Sequence, residues 1–523
     1  MVMKESIMKR NYLRITLFHL FTIQILFFCS QRIVFSQKTE IITLKGLHQH
    51  MDSIASDATE GRFTGTPGYR KAAQYVSNVF REAGLNPGCT NGKGEKSYFQ
   101  PVPFIRNSYG LTTSLTMLKN GNNKTFDHSA SNFVILNPGI QYKNIPMASP
   151  VFIGYGVHEP EYGWDDYAGL DVKGKWVILL NGIPPADTIS PVFPDHLRKQ
   201  YADWDNCEAL KYNSLIKHKA AGVIVLPNKY TIENWESTVL RNYRFNYIHY
   251  AEADTNKKVT PERILPYILI QAELARLLLA GQNYDPMANK GSYHSYILDN
   301  TEISVAIDYK KEFIHCYNVV AVVPGTDSAL RNEYVTVGAH LDHLGKIGNH
   351  VYNGANDDAS GCVIILEAAK AIALNPPKRP VLFVLFTGEE LNLIGSTHFV
   401  KHPPIPVEHI LLNINIEQVG SKNRTFPGIW AIGSPQFKRA FYESGNFFIG
   451  TELKYDSIDA MVDVISSCDT YSFYIKKIPS IILGSGGFSE HHTTQDKIDL
   501  IDFEHLYKAA KLLHSFIMEL GNK

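Results

Sequence analysis

Carboxylate and imidazole side chains in the last third of the chain could together bind metal ions and support hydrolysis. Each lies where an apolar run stops, and the set comprises His340, Asp357, Glu389, Glu390, Glu417 and His492. Two imidazoles and several oxygen ligands, with no pair of thiols nearby, suit a catalytic zinc site better than a structural one. The pattern therefore predicts a metallohydrolase.

Four apolar runs would bring these side chains into one region. They cover residues 334–337, 381–386, 410–416 and 480–483. Each is typical of a buried strand, and ligands of open α/β sheets collect just beyond the carboxyl ends of such strands. Helices predicted at 362–374 and 503–520 alternate with the strands. We therefore expect an α/β fold with a mixed, mostly parallel sheet covered by helices on both faces.

The acidic motifs each have a second interpretation. Asp357 could bridge two metal ions, because a shared carboxylate offsets their repulsion, but Asp357-Asp358 could equally cap a helix. Glu389 and Glu390 close a strand of apolar residues, where two acids are costly unless a positive charge is waiting for them. One could bind metal while the other takes a proton from water, although a solvated turn is the alternative.

The histidine motifs leave similar choices. His340 follows a strand, and Asp342 could hold its imidazole, as ligating histidines usually require. Glu417 ends another apolar strand. His492 lies in a polar loop near the carboxyl end of the sheet, where His491 is its competitor, and the residues alone do not decide between the two.

Length, hydrophobic content and charge balance limit the classes of protein to which the chain can belong. The chain has 523 residues and 44% hydrophobic content, enough for a large core and more than one domain. Lys plus Arg and Asp plus Glu each number 51, so there is no overall basic field of the kind that nucleic acid binding needs. Nucleic acid is therefore not an expected partner.

The amino terminus has the features of a secretory signal over residues 1–36. Lys4, Lys9 and Arg10 precede an apolar stretch, residues 13–28, that is short for a membrane span. Cleavage before Gln37 is favoured over lipid attachment at Cys29, and an uncleaved anchor helix is the remaining alternative. We therefore expect a periplasmic or secreted protein with no membrane span after processing.

The cysteines do not define a disulfide scaffold. Five follow Cys29, widely spaced, at positions 89, 207, 316, 362 and 468. Cys468 could act as a nucleophile, but it has no adjacent base, and the candidate metal ligands already account for the chemistry.

Three segments follow the signal. Residues 37–145 begin the α/β domain, with two helices between residues 44 and 83 separated by a Gly/Pro-rich loop at 61–68. Residues 146–285 contain short β-like runs at 150–153, 175–180 and 221–226 and none of the candidate ligands, which predicts an inserted β-rich domain. Residues 315–523 form the main α/β domain.

Four motifs carry a family resemblance. Residues 338–345, 354–361, 388–390 and 492–496, in this order, resemble the co-catalytic zinc aminopeptidases of the M28 peptidase family. The similarity covers roughly residues 40–145 and 315–520. The insertion, with Tyr155-Gly156 and residues 217–224, resembles the protease-associated domain that many of these enzymes carry.

The resemblance implies a zinc exopeptidase-like fold that binds two Zn²⁺ ions per chain. One ion would take His340, Asp357 and Glu417, and the other would take Asp357, Glu390 and His492. Glu389 would be the general base, and Asp342 would hold His340. The Asp357-Asp358 peptide would be cis. The position of Glu417 is often Asp in this family, so the longer side chain here leaves the geometry open.

The implied reaction is hydrolysis of the amino-terminal bond of peptides or proteins. The two zinc ions would polarise the scissile carbonyl and lower the pKa of a water molecule from which Glu389 removes a proton. A carboxypeptidase or a glutaminyl cyclase-like zinc enzyme is the alternative within the class. A non-catalytic, receptor-type peptide-binding module is the alternative outside it, and the presence of Glu389 and of every candidate ligand argues against that module.

Overall fold

The computed structural model describes residues 41–523, apart from 130, 137–143, 190–191, 243–247, 253–264, 283–293, 348 and 449–451. The predicted signal segment, with Cys29 and the expected cleavage before Gln37, lies outside the described residues. Within the residues that are described, no helix is long and apolar enough to span a membrane.

The largest sheet of the described residues has ten strands and positions the candidate ligands. In chain order the strands are β1 (Asn86–Pro87), β2 (Phe99–Tyr109), β3 (Ile248–Tyr250), β4 (Tyr309–Val323), β5 (Tyr334–His340), β6 (Val381–Phe386), β7 (Ile410–Glu417), β8 (Ile429–Gly433), β9 (Leu453–Ser457) and β10 (Ser480–Gly484). Their spatial order is β3-β2-β4-β6-β5-β7-β10-β8-β9, and β1 pairs with β4.

The sheet is mixed, as expected. Strands β6, β5, β7 and β10 run parallel to one another, so their carboxyl ends lie at one edge. Antiparallel pairs occupy the flanks. The longest of them joins β2 and β4, which pair from Tyr109 with Tyr309 at one end to Phe99 with Val319 at the other. The sheet is therefore less parallel than the sequence predicts, but parallel where the candidate ligands lie.

Helices cover both faces of this sheet, as the apolar strands require. They are α1 (Leu44–Ala55), α2 (Pro67–Glu82), α3 (Ser360–Leu374), α4 (Ile394–Lys401), α5 (Lys438–Ser444), α6 (Val462–Ile465), α7 (Thr470–Tyr474) and α8 (Phe503–Asn522). Alternate side chains of a strand point to opposite faces. In β6, Phe383 packs in the cluster formed with α1, α2, α3 and α8. Its neighbour Val384 packs on the other face with Phe399 of α4 and Phe473 of α7.

A second β-rich unit lies between β2 and β4 in the chain. Its six-stranded sheet has the order 296–297, 150–152, 176–180, 222–226, 267–270, 133–135, and a four-stranded sheet has the order 122–127, 114–119, 301–306, 144–148. Helices Asp195–Ala202, Trp204–Lys217, Lys229–Glu233, Trp235–Asn242 and Ala272–Leu279 accompany these strands, along with the short helix Ala186–Ile189. The domain boundaries stay predictions, and the strand pairing favours a start of the insertion near residue 114.

Local sequence explains where the helices begin. Thr66 precedes Pro67 and accepts a hydrogen bond from the Tyr69 N–H, which satisfies one free donor at the start of α2. Asp502 does the same for α8 by accepting from the His505 N–H. The Gly/Pro-rich loop at 61–68 therefore separates two helices, as its composition predicts.

His505 makes stability sensitive to acid. Burial, with the nearby Arg424 cation, lowers its pKa from 6.5 to about 4, and its Nε2 lies 3.0 Å from Ser485 Oγ. The unfolded chain takes up this proton below pH 6.5, whereas the folded chain resists it until about pH 4. The gap corresponds to up to about 3 kcal/mol of stability, present above pH 6.5 and lost as the pH falls towards 4.

We therefore expect His505→Gln to lose less stability than the wild type between pH 7 and pH 4.5. Urea unfolding at several pH values measures this difference. His196→Gln, at an exposed position, is the control and should follow the wild-type profile. Parallel profiles for His505→Gln and the wild type would contradict the assignment.

Candidate metal centre

The parallel strands bring all six sequence-predicted ligand and base residues to one edge of the sheet. His340 ends β5 and Glu417 ends β7. Glu389 and Glu390 form a short turn just after β6, Asp357 lies in the loop before α3, and His492 lies in the loop after β10. The expectation that the carboxyl ends of these strands define one site therefore agrees with the arrangement of the side chains.

Asp357 lies at the centre of the cluster. One of its oxygens, Oδ1, is 3.0 Å from His340 Nε2, and the same imidazole nitrogen is 3.3 Å from Glu417 Oε1. The other oxygen, Oδ2, is 3.2 Å from His492 Nε2, which is 3.2 Å from Glu390 Oε2. The carboxylate of Asp357 thus contacts His340 on one side and His492 on the other. The groups around it that are compact enough for one ion are Asp357 with His340 and Glu417, with His343 and Glu390, and with His491 and His492, so the first implied set is compact, while the second is divided between two groups.

The residues present fit zinc. The donors are imidazole nitrogens and carboxylate oxygens, the ligand types that Zn²⁺ takes in catalytic sites. His340 and Asp357 are buried, and Glu417 Oε2 is a buried oxygen without a hydrogen-bond donor. Buried carboxylates that outnumber their hydrogen-bond donors are costly unless a cation compensates them.

The electrostatics of the cluster show the same excess of negative charge. Burial raises the pKa of Glu417, and repulsion from Asp357 and Glu390 adds to it, while His340 opposes it. Burial also favours the neutral form of His340, but Glu389 and Glu417 outweigh it and raise the pKa of the ring well above its usual value. In Asp357 the contacts with three imidazoles overcome burial and lower its pKa well below the ordinary range. Bound cations would relieve the repulsion among the remaining carboxylates.

Asp342 supports the cluster in a different way from the one expected. The Nδ1 atom of His340 lies 3.0 Å from the backbone carbonyl of Asp342, not from its carboxylate. The carboxylate instead accepts hydrogen bonds from the Thr64 hydroxyl at 3.1 Å and from the Glu389 N–H at 3.2 Å. Asp342 therefore orients His340 with its backbone and the Glu389 turn with its side chain.

The loop before α3 is held from both sides. The carboxylate of Asp496 accepts from the N–H groups of Asn356 and Asp357, at 2.8 and 3.0 Å. The Asp357-Asp358 peptide is cis, as the resemblance implies. Asp358 accepts from the Gly361 N–H at 3.0 Å, so the helix-capping role considered for this acidic pair belongs to Asp358, while Asp357 faces the imidazoles.

Gly354 begins this loop, where a side chain has no room. Its φ is +59°, in the left-handed region that glycine adopts without strain. A Cβ there would also collide with the His343 ring and with the Asp357 carbonyl. The glycine is therefore required both by the backbone conformation and by the close approach of the loop to the site.

Arg62 connects the loops that carry the ligands. Its guanidinium is fully buried and donates only to backbone carbonyls, those of Leu341, Ile54, Asn353 and Gly354. Leu341 follows His340, and Gly354 begins the Asp357 loop. Arg62 therefore holds the two segments at a fixed separation, and no sequence pattern pointed to it.

Two further residues of the site were not predicted as participants. His343 is fully buried, with Nδ1 2.8 Å from Glu390 Oε1 and 3.7 Å from Asp357 Oδ2. Asp469 is fully buried and close enough to raise the pKa of Glu389. His343 lies in the same motif as His340, so its residue type was visible in the sequence, whereas the direction of its ring was not.

His491 and His492 both approach Asp357. Their rings stack with centroids 3.7 Å apart, and their Nε2 atoms lie 3.1 and 3.2 Å from Asp357 Oδ2. Only His492 also reaches Glu390, and its ring is the less exposed of the two. This contact with two carboxylates favours His492 as the ligand.

We expect His492→Ala to reduce zinc retention and peptidase turnover by about 100-fold or more, because it removes a ligand. His491→Ala is the matched control and should cost less than about 10-fold, since it leaves both implied ligand groups complete. Metal analysis after dialysis and steady-state kinetics measure both effects. Equal losses in the two variants would contradict the choice of His492.

A cavity of about 720 Å³ opens beside the cluster. Glu389 and Glu390 line it, together with the apolar side chains of Trp430, Ile432, Val464, Ile475 and Ile482. The cavity can therefore hold an apolar side chain next to the candidate metal ligands.

Cys468 also lines this cavity, but its surroundings do not favour a nucleophile. Burial raises the pKa of its thiol well above the usual value, and the carboxylates of Glu417 and Glu389 add to the shift. The thiol is therefore protonated at neutral pH, and a protonated thiol is a poor nucleophile. All five cysteines of the described residues are free and buried.

An open α/β sheet whose parallel strands end in buried carboxylates and imidazoles is the arrangement of a metal-dependent hydrolase. Residues 318–517 match the model of Peptidase family M28. This segment, which holds every candidate metal ligand, is therefore similar to the peptidases of that family.

Curated relatives match over part of their length. The chain is 32% identical over 144 residues to probable leucine aminopeptidase 2 of Aspergillus oryzae, which covers 27% of this chain and 26% of the relative. It is 27% identical over 183 residues to Aminopeptidase YwaD of Bacillus subtilis, and this aligned region covers 32% of this chain and 38% of the relative. The chain thus spans well under half the length of these relatives.

Solved structures share the fold over most of the chain. The zinc aminopeptidase BSAP from Bacillus subtilis has a TM-score of 0.54 at 17% identity and covers 92% of this chain and 96% of its own. The aminopeptidase from Aneurinibacillus sp. strain AM-1 has a TM-score of 0.53 at 18% identity and covers 92% of this chain and 94% of its own. At these identities the likeness concerns the fold.

Proposed function

We propose that the protein is an exported aminopeptidase that hydrolyses amino-terminal peptide bonds with two zinc ions and Glu389 as the general base. One observation carries the proposal. The carboxylate of Glu389 lies 3.9 Å from His340 Nε2 and lines the cavity, but it belongs to neither of the two ligand groups around Asp357. A carboxylate beside a metal site but free of it is placed to move a proton.

The implied ligand groups assign a role to each side chain. His340, Asp357 and Glu417 would hold one zinc ion, and Asp357, Glu390 and His492 would hold the other. When bound, the ions would polarise the scissile carbonyl and lower the pKa of a water molecule.

Glu389 acts on that water from a fixed position. Its turn is held by the hydrogen bond from its own N–H to the Asp342 carboxylate. Burial raises its pKa, and repulsion from Glu390 and Glu417 adds to the shift, while His340 opposes it. Bound cations would offset this repulsion, so that the carboxylate accepts a proton from water and later delivers it to the leaving amine.

The substrate is a peptide with a free amino terminus. The apolar wall of the cavity favours an apolar first side chain, because burying one against Trp430, Ile432 and Ile475 removes apolar surface from water. The relatives named as aminopeptidases and the solved zinc aminopeptidase support the same reaction class.

The test compares peptides of one sequence, free and acetylated at the amino terminus, incubated with the zinc-loaded protein and with protein treated with a chelator. Mass spectrometry should show stepwise trimming of the free peptide alone, lost on chelation and restored by Zn²⁺. Carboxy-terminal trimming or loss of ammonia would instead assign a carboxypeptidase or a cyclase. No change in any peptide would favour a binding module.

Export and the inserted domain are separate parts of the proposal. Export rests on the signal-like segment, and amino-terminal sequencing of protein recovered outside the cytoplasm should begin at Gln37. The resemblance to a protease-associated domain rests on residues 155–156 and 217–224. If the insertion limits access to the site, removing it should broaden the range of peptide lengths that are cleaved, and an unchanged range would contradict this role.

A further inference from the structure

A second cluster of metal-binding side chains lies outside the candidate peptidase site. It consists of Glu252, His398 and His402, whose ligand atoms all lie within 4.8 Å of one another. His398 belongs to α4, and His402 follows the last residue of that helix. Residues four apart on a helix lie on the same face, so the two rings lie beside each other. Their centroids are 4.6 Å apart.

We propose that Glu252, His398 and His402 form a further divalent metal site, selective for zinc-like ions over calcium or magnesium. The set offers two imidazoles and one carboxylate, the combination that suits Zn²⁺ and its transition-metal neighbours, whereas Ca²⁺ and Mg²⁺ take oxygen ligands. This site is distinct from the ligand groups around Asp357 and does not depend on the peptidase reaction.

The separations are compatible with one ion. Glu252 Oε1 lies 2.8 Å from His402 Nε2 and 4.0 Å from His398 Nδ1. Tetrahedral coordination with bonds of about 2.1 Å requires ligand atoms about 3.4 Å apart. The two distances lie on either side of this value, so small side-chain rotations would bring all three atoms to one ion. The exposed ring of His402 can make such a rotation.

The orientation of His398 is already that of a metal ligand. Its side chain is 8% exposed, and its ring makes a hydrogen bond to the Pro101 backbone, while its Nδ1 lies 2.8 Å from the Tyr250 hydroxyl. Ligating histidines usually donate their second ring N–H to a carbonyl in this way. Tyr250 also hydrogen-bonds to Glu252, so its hydroxyl can keep its proton and donate its hydrogen bond to that carboxylate when Nδ1 binds the ion.

The surrounding charges act in both directions. The carboxyl end of α4 carries the negative end of the helix dipole, which favours a cation there. The Lys401 ammonium lies 5.1 Å from the centre of the Tyr250 ring and opposes a cation. The negative charge of the Glu252 carboxylate and of the helix end outweighs the positive charge of the single lysine, so the cluster accepts a divalent ion.

The site would join two distant parts of the chain. Glu252 follows β3, which forms the edge of the main sheet beside β2. Helix α4 begins at Ile394, just after the Glu389-Glu390 turn. An ion held by both would therefore fasten the end of β3 to the helix that supports the turn carrying the proposed base.

The test of this proposal is the difference in zinc content between the wild type and variants of the cluster. Wild type, His402→Ala, Glu252→Gln and the control His350→Ala are stripped with chelator, equilibrated with Zn²⁺, dialysed and analysed by mass spectrometry of the metal. His350 is an exposed histidine 3.9 Å from Glu236, and among the described residues it belongs to no cluster that could hold a metal ion. Wild type and His350→Ala should hold one zinc ion per chain more than the two cluster variants.

The difference of one ion is independent of how many ions the peptidase site takes, so failure here and failure of the proposed function can be told apart. A second readout is the melting temperature. Zinc should raise it more in wild type than in His402→Ala, because only the wild type fastens β3 to α4. Equal zinc content in wild type and both cluster variants would overturn the proposal and leave the cluster as a hydrogen-bonded contact.

Discussion

Replacing Glu389 with glutamine is expected to reduce kcat by about 1,000-fold, while the fold and the zinc content stay as in the wild type. General-base catalysis contributes about 100- to 10,000-fold, and an amide of the same shape cannot accept the proton. Glu389 belongs to neither ligand group, so its loss should leave the ions in place. Steady-state kinetics on a peptide with a free amino terminus, with metal analysis of the same sample, measure both quantities.

Glu408→Gln is the matched control, because Glu408 is exposed on a short turn away from the site. It should retain full activity. A Glu389→Gln variant that keeps kcat within about tenfold of the wild type would contradict the general-base role. A variant that loses zinc as well as activity would instead make Glu389 a ligand.

Replacing Arg62 with methionine is expected to lower the free energy of unfolding by about 4 kcal/mol or more. The carbonyls of Leu341 and Asn353 would lose the donor that Arg62 gives them, at about 1 to 3 kcal/mol for each unsatisfied group. Those of Ile54 and Gly354 would keep their hydrogen bonds from the Thr59 hydroxyl and the Ala359 N–H. The acids Asp342, Asp357 and Asp496 would also lose a cation that lies among them. Urea unfolding at neutral pH measures the loss.

Arg81→Met is the control for this substitution. Arg81 is exposed on α2 and contacts Asn78 and the Tyr98 ring, so its replacement should cost less than about 1 kcal/mol. Arg62→Lys keeps the charge but not the planar fork, and it should lie between the wild type and Arg62→Met. Equal stabilities for Arg62→Met and Arg81→Met would show that the carbonyls find other donors.

Much of the fold and of the candidate site could be predicted from short-range pattern. The run at residues 381–386 has no polar residue, which is the mark of a strand covered on both faces, and it forms β6. Acids or imidazoles at the ends of parallel strands must share an edge, because the strands run in one direction. His340, Glu389 and Glu417 could therefore be assigned to one site before any coordinates.

The rest depends on contacts that leave no pattern in the sequence. Arg62 acts on backbone carbonyls, and every residue carries one, so its partners cannot be recognised by type. The same is true of Asp342, whose carbonyl rather than its carboxylate meets His340. The antiparallel flank also escaped prediction, because strands β2 and β4 lie far apart in the chain and their residues carry no signal of which strand they pair with.

The pairing of β2 with β4 brings residues 110 and 308, the two ends of the inserted stretch, close together. Tyr109 leaves the main sheet directly opposite Tyr309, which re-enters it. Of the described strands between them, β3 alone returns to the main sheet, where it pairs with β2. A two-residue Asn-Gly turn could replace residues 110–308 and close the ribbon without stretching it. The shortened chain would keep every residue of the candidate metal centre but lose Glu252 and the edge strand β3, and with them the proposed link to α4.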